Sequence, residues 1–124
     1  MTCLICVVDD DASFRSAITS LLHSIGYTVA AFGSAEEFLD SGRVADTACL
    51  ISDVQMSGMN GFELQTRLRE NGQQLPIIFV AASPGEKARE QAVRSGALAF
   101  LGKPFSEDKL MSLLDQVDRD LRSG

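Results

Sequence analysis

Short apolar runs alternate along this chain with stretches in which apolar residues recur at intervals of three and four. Leu4 to Val8 is continuous and apolar, as a strand covered on both faces should be. Phe14, Ala17, Ile18, Leu21, Leu22 and Ile25 then follow helical spacing, and Gly26 stands where a left-handed residue would close that helix. Tyr27 to Phe32 reads as a second strand. Ser34 followed by Glu37 is a capping-box signature, and it opens a short helix carrying Phe38 and Leu39. Ala48 to Ser52 is the third strand. After the glycine-containing loop from Ser57 to Gly61, a helix through Leu64 and Leu68 stops at the turn pair Asn71-Gly72.

Leu75 to Ala81 reads as the fourth strand, with Pro76 tolerable only at its start. Ser83-Pro84-Gly85-Glu86 predicts a helix start, with Ser83 as N-cap and Pro84 in the first helical position. The helix it opens, through Ala88, Ala92 and Val93 to Ser95-Gly96, is mostly polar, so only a narrow stripe can be buried. Ala97 to Leu101 is the fifth strand, and Leu110, Leu113, Leu114, Val117 and Leu121 stripe the last helix. Five strands alternating with five helices predict a doubly wound parallel sheet with right-handed crossovers.

The composition narrows the class. A chain of 124 residues forms one domain with one core, spanning residues 1–124. No apolar stretch has the length of a membrane span or the flanks of a signal peptide, so a cytoplasmic location away from membranes is expected. The formal net charge of -6 argues against a nucleic-acid footprint, which needs clustered Lys and Arg. Three cysteines are too few and odd in number for a disulfide framework. Cys3 and Cys6 fall on opposite faces of a strand, so they read as small core residues.

The polar exceptions lie at strand ends. Asp9-Asp10-Asp11 follows the first apolar run and Asp53 ends the third. In a parallel sheet the functional crevice lies beyond the carboxyl ends of the strands, which gathers Asp9, Asp10, Asp53, Ala81 and Lys103 at one edge. Carboxylates so close demand protonation or a cation, and an oxygen-only site with room for water suits Mg²⁺. Lys103 precedes Pro104, so its ammonium can swing over the acids while the proline fixes a turn that suits a cis bond. Asp11 reads as a charge at a helix N-terminus, and His23 as a surface residue.

These residues carry a resemblance over nearly the whole chain, from about Cys3 to Leu121. The acid pair after the first strand, the segment from Ser52 to Gly61 and the segment from Gly96 to Phe105 resemble the receiver domains of bacterial two-component response regulators. Ser34-Ala35-Glu36-Glu37-Phe38-Leu39 further resembles receivers of the nitrogen-fixation regulator type, which often precede a helix-turn-helix domain. The resemblance implies a flavodoxin-like sheet of strand order 2-1-3-4-5. It implies that Asp53 accepts a phosphoryl group from a sensor histidine kinase, and that Asp10, Asp53 and the backbone carbonyl of Gln55 ligate Mg²⁺, with Asp9 acting through water. Lys103 would pair with the phosphoryl oxygens, and Phe100 would report phosphorylation to an output partner on the face of helix four, strand five and helix five. The side chains of Gln55 and Ser83 would modulate hydrolysis of the acyl phosphate. The domain itself would not be an enzyme beyond slow autophosphatase activity, and a homodimer formed on phosphorylation stays open.

The chain departs from the pattern at Ala81, where the family usually has Thr or Ser. Loss of a charge-assisted hydrogen bond there would remove about 1.5 to 3 kcal/mol of bias toward the active state. Ser83 offers a substitute hydroxyl. Ser57 stands where the family commonly has Pro. Two further classes remain: a pseudo-receiver that binds partners but responds weakly to phosphate, and a phosphatase of the haloacid-dehalogenase type, which Asp9-x-Asp11-x-Ser13 imitates.

Overall fold

The computed structural model describes residues 3–82 and 85–123. A five-stranded parallel sheet has the order β2-β1-β3-β4-β5, from β1 (Leu4–Val8), β2 (Thr28–Phe32), β3 (Thr47–Asp53), β4 (Ile77–Ala81) and β5 (Ala99–Gly102). The intervening helices are α1 (Ala12–Ser24), α2 (Ala35–Asp40), α3 (Gly61–Glu70), α4 (Glu86–Arg94) and α5 (Glu107–Ser123), with a 3-10 turn at Val44–Asp46.

The continuous apolar runs are split by the strand's period of two between two cores. Leu4, Cys6, Val8, Leu50, Ile77 and Phe79 point to the side covered by α2, α3 and α4, where Phe38, Leu64, Leu68 and Ala92 meet them. Ile5, Val7, Cys49, Ile51, Ile78 and Val80 point to the side of α1 and α5, against Ile18, Leu22, Leu110, Leu114 and Val117. Strand β2 lies at one edge, and its residues are half-buried or exposed. Among the described residues no helix is long and apolar enough to cross a membrane.

Strand and helix starts differ from the sequence reading for local hydrogen-bonding reasons. Gly26 closes α1 with φ 102°, and the N–H of Tyr27 returns to the Leu22 carbonyl at 3.1 Å, so Tyr27 serves the helix end and β2 begins at Thr28. A matching bond from Ala97 N to Ala92 O withholds Ala97 from β5. Pro76 has no N–H, though its carbonyl accepts from Leu50 N, so β4 begins at Ile77. The capping box at Ser34 is half formed: Ser34 Oγ accepts from Glu37 N, while Glu37 turns to the N–H of Gly33. The complete box is at Asn60 and Glu63. The predicted cap of α4 is corrected, since Gly85 occupies the N-cap position without a side-chain hydrogen bond. Ser83 and Pro84 lie outside the described residues.

Candidate functional site

Parallel pairing places the ends of β1 and β3 side by side, with Val8 opposite Ser52. The next residues, Asp9 and Asp53, therefore emerge together at the carboxyl edge, and both are buried. Asp10 is exposed. One carboxylate oxygen from each of Asp9, Asp10 and Asp53 lies within 4.8 Å of the others.

Each acid is held by a different donor set. Asp9 accepts from the N–H of Asp11 at 2.9 Å and from Lys103 Nζ at 2.7 Å, while Arg15 donates to its backbone carbonyl at 2.7 Å. Asp53 accepts from the N–H of Gln55 at 3.0 Å and from Lys103 Nζ at 3.2 Å. Asp10 accepts from the N–H of Ser57 at 3.1 Å, a donor that proline would lack. Lys103 is positioned by its own N–H on the Ala81 carbonyl at 2.8 Å, and its ammonium stands 4.2 Å from the Phe14 ring centroid. The Lys103-Pro104 bond is cis, as the turn suggested.

Electrostatics follow from this packing. Burial raises the Asp53 pKa; the Gln55 N–H opposes that shift, the charge of Asp9 adds to it, and Lys103 opposes it, leaving the value above the usual range. Burial would lower the Lys103 pKa, but its hydrogen bond to Asp9 and the charges of Asp53 and Asp9 prevail and raise it. One ammonium thus bridges two of three clustered carboxylates. Oxygen-only donors of this charge fit Mg²⁺, with Asp10 and Asp53 as the acids that would hold it.

Tight supports surround Asp53 that the sequence reading did not single out. A side chain at Gly61 would put its Cβ 2.5 Å from the Asp53 carbonyl, so only glycine lets α3 approach the strand end. Glu36 on α2 accepts from Met59 N at 3.3 Å and braces the loop between β3 and α3. The Asn-Gly pair at 60–61 was the available signal for the first of these; nothing local in sequence signals the second.

The other predicted residues divide. Asp11 is the N-cap of α1, accepting from Ser13 N and Phe14 N, which removes it from the acid cluster and removes the second acid a dehalogenase-type motif needs. His23 is exposed. Cys6 is buried against Thr47 Oγ1 at 3.2 Å, and Cys3 donates to Asp118, so the two thiols lie on opposite faces as expected. Ala81 is buried at the end of β4 and lines a cavity of about 330 Å³ with Asp53, Val54, Gln55, Ala82, Gly85, Lys87 and Ala88. Phe100 is buried in the core beneath α4, with the Arg89 guanidinium 5.1 Å over its ring. Ser83 lies outside the described residues.

Comparison with known proteins agrees with this geometry. Residues 5–115 match the response regulator receiver domain family. The chain is 41% identical over 109 residues to the transcriptional regulatory protein TdiR of Thauera aromatica, covering 88% of this chain and 48% of that protein. It is 35% identical over 113 residues to the transcriptional regulatory protein FixJ of Bradyrhizobium diazoefficiens, covering 91% and 55%. The structure of the response regulator StyR superposes with a TM-score of 0.86 at 35% identity, covering 99% of this chain and 65% of that one. The chain spans about half the length of the curated relatives it matches. With its sheet order, its acid cluster at the carboxyl edge and these matches, the chain belongs to the receiver domain family of two-component response regulators.

Proposed function

We propose that this domain accepts a phosphoryl group on Asp53 from a phosphohistidine of a sensor kinase, in a Mg²⁺-dependent phosphorelay. The observation that carries the reading is the placement of Asp53 between Asp10 and Lys103 at the open end of the sheet. A carboxylate oxygen of Asp53 attacks phosphorus, the P–N bond breaks, and its electron pair returns to the imidazole nitrogen. Phosphoryl transfer asks the protein mainly for positioning and charge neutralisation. Gln55 N–H fixes one Asp53 oxygen, and Lys103 follows the negative charge from the two carboxylates to the phosphoryl oxygens. Bound Mg²⁺ neutralises phosphoryl charge and lowers repulsion among the acids; Asp10, Asp53 and the Gln55 carbonyl would hold it, with Asp9 behind water. Asp9, already engaged by Lys103 and the Asp11 N–H, suits that indirect role. Hydrolysis of the acyl phosphate returns the domain to its resting state slowly.

The signal then passes to an output partner on the face of α4, β5 and α5. Incubation with a small phosphodonor and Mg²⁺, read by intact mass, tests the assignment: one phosphoryl adduct is expected, absent without metal and absent in Asp53→Asn. An adduct on Asp53→Asn would sink it. Ala81 favours a second reading, a receiver whose phosphate response is weak, because no hydroxyl at the end of β4 reaches for the phosphoryl group. Full phosphorylation with no change at Phe100 would select that reading.

A further inference from the structure

A second cation lines a cavity beside Asp53. Lys87, in the first turn of α4, lines the cavity that also exposes Asp53, Gln55 and Ala81. We propose that Lys87 is a second phosphate-binding residue of this site, drawing the N-terminal turn of α4 toward phosphorylated Asp53 and supplying part of the coupling that a strand-four hydroxyl would give. The proposal rests on Asp53 as phosphoacceptor.

Space and charge both favour it. Among the described residues, the other side chains on the α4 side of the cavity belong to Ala81, Ala82 and Ala88, and Gly85 adds none. The cavity volume of about 330 Å³ is about ten times the roughly 30 Å³ that one water takes in the liquid, enough for a phosphoryl group and its hydration. Among the described residues Lys87 has no ion pair, so its ammonium is not committed elsewhere. Glu86, one residue earlier, lines instead the outer groove with Arg89, Glu90, Val93 and Arg94. The neighbour that would repel phosphate thus lines a different groove, while the lysine lines the cavity that Asp53 opens into. Lysine is a flexible point charge suited to phosphate, and the N-terminal turn of a helix adds a favourable dipole.

The contact also differs between states. The Asp53 carboxylate is already served by Lys103 and the Gln55 N–H, so new charge on that side appears only with the phosphoryl group. Such a differential interaction is what shifts a two-state equilibrium. Helix α4 is mounted to respond. Its C-terminal end is anchored by Arg69 and Gln65, both donating to the Ser95 carbonyl, whereas Gly85 gives its N-terminal end no side-chain cap, and Ala92 is its buried residue. A pull on the N-terminal end would pivot the helix and carry Arg89 off the Phe100 ring it covers.

The test is a titration of the 124-residue chain with beryllofluoride in Mg²⁺, followed by amide chemical shifts, for the natural sequence, Lys87→Met, Lys87→Arg and Asp53→Asn. Lys87→Met is expected to weaken the anion about fivefold, the scale of one exposed, screened ion pair, and to remove most of the shift across 86–94 and at Phe100. Its affinity for Mg²⁺ alone should not fall, and Lys87→Arg should keep both responses. Adding Ala81→Thr to Lys87→Met should return the shift by the hydroxyl route. Unchanged affinity and unchanged α4 shifts in Lys87→Met would overturn the proposal while leaving Asp53 as phosphoacceptor. Binding to Asp53→Asn as tight as to the natural sequence would overturn both.

Discussion

The two sides of Asp53 are built differently. Toward α1, the crevice is crowded: Asp9, Asp10 and Asp53 share donors from Lys103 and from three backbone N–H groups, all within 2.7 to 3.2 Å. Toward α4, Asp53 looks into a cavity whose β4 wall is alanine. On the proposed function, phosphoryl chemistry would use the first side and conformational response the second, so this chain would separate two properties that a hydroxyl at the end of β4 would tie together. The first side is also where charge is concentrated at a cost, because three carboxylates face one ammonium.

Substitutions on the crowded side should have the largest effects. Asp53→Asn is expected to abolish the phosphoryl adduct, and Asp10→Asn to reduce the rate of labelling by about a hundredfold or more, since charge neutralisation at a transferring phosphoryl group is worth several kcal/mol. Lys103→Met should abolish most labelling and also destabilise the fold by about 2 kcal/mol, below the 3 to 5 kcal/mol for a fully buried pair because Lys103 is partly exposed. Urea unfolding measures the second effect. Labelling of Asp10→Asn at the natural rate would break the comparison, because the acids would then not be the metal-holding side.

The same crowding gives a stability prediction with a definite sign. The Asp53 pKa is raised in the fold, burial being the leading cause, so the folded state binds its proton more tightly than the unfolded chain does. The ionised form therefore weakens the fold at pH values above the raised pKa, and the penalty disappears below the ordinary carboxylate range. Asp53→Asn should be more stable at pH 7, read as a higher Tm. That advantage should vanish as the pH falls toward the carboxylate range, and Mg²⁺ should narrow it at pH 7 by stabilising the natural sequence more. A thermal series over pH, with and without Mg²⁺, checks both signs.

The crowded side was legible in sequence because its residues follow strands at fixed offsets: an apolar run that ends on Asp9-Asp10, another that ends on Asp53, and Lys103 one step past β5. Strand period and parallel pairing then leave little freedom in where those carboxylates go. Helix ends were less legible, because hydrogen bonds of the ends themselves decide them. The Tyr27 N–H is used by α1, and Gly85 takes the N-cap of α4 that the residue pattern assigns to Ser83. The α4 side was hardest to read. Alanine at 81 shows what is missing, but which residue of a polar helix faces the resulting space depends on the helix's rotation, and its few apolar positions constrain that weakly. Hence Lys87, Arg89 over Phe100 and the anchoring of Ser95 become visible only in three dimensions.

Filling the empty side should have a smaller effect than breaking the crowded one. Ala81→Thr places a donor where the phosphoryl group can accept it, and such a charge-assisted bond favours the responsive state by about 1.5 to 3 kcal/mol before desolvation of the hydroxyl is counted. Labelling by a small phosphodonor should change little, while the amide shifts at Phe100 and along α4 in beryllofluoride should grow. A natural-sequence response already full-sized and unaltered by the substitution would mean that the alanine wall does not limit coupling.

The smallest effect is expected from the Gln55 side chain, which is exposed at the mouth of the crevice while its backbone N–H holds Asp53. Gln55 lines the same cavity as Asp53, where on the proposed function water would approach the acyl phosphate. Removing the side chain would alter how that water is oriented but would touch neither the acid cluster nor Lys103, so the adduct should still form. Gln55→Ala should change the lifetime of the phosphorylated domain by about two- to fivefold, a small fraction of what full positioning of a nucleophile can contribute. Gln55→Arg should lengthen it, because a longer cationic side chain covers the phosphoryl group and excludes water. Decay of the phosphoryl adduct, followed by intact mass after the donor is removed, measures both. Equal lifetimes in the natural sequence, in both variants and in a double substitution with Ser83 would show that water reaches the phosphoryl group by another route, and would shift attention from the mouth of the crevice to the crowded side.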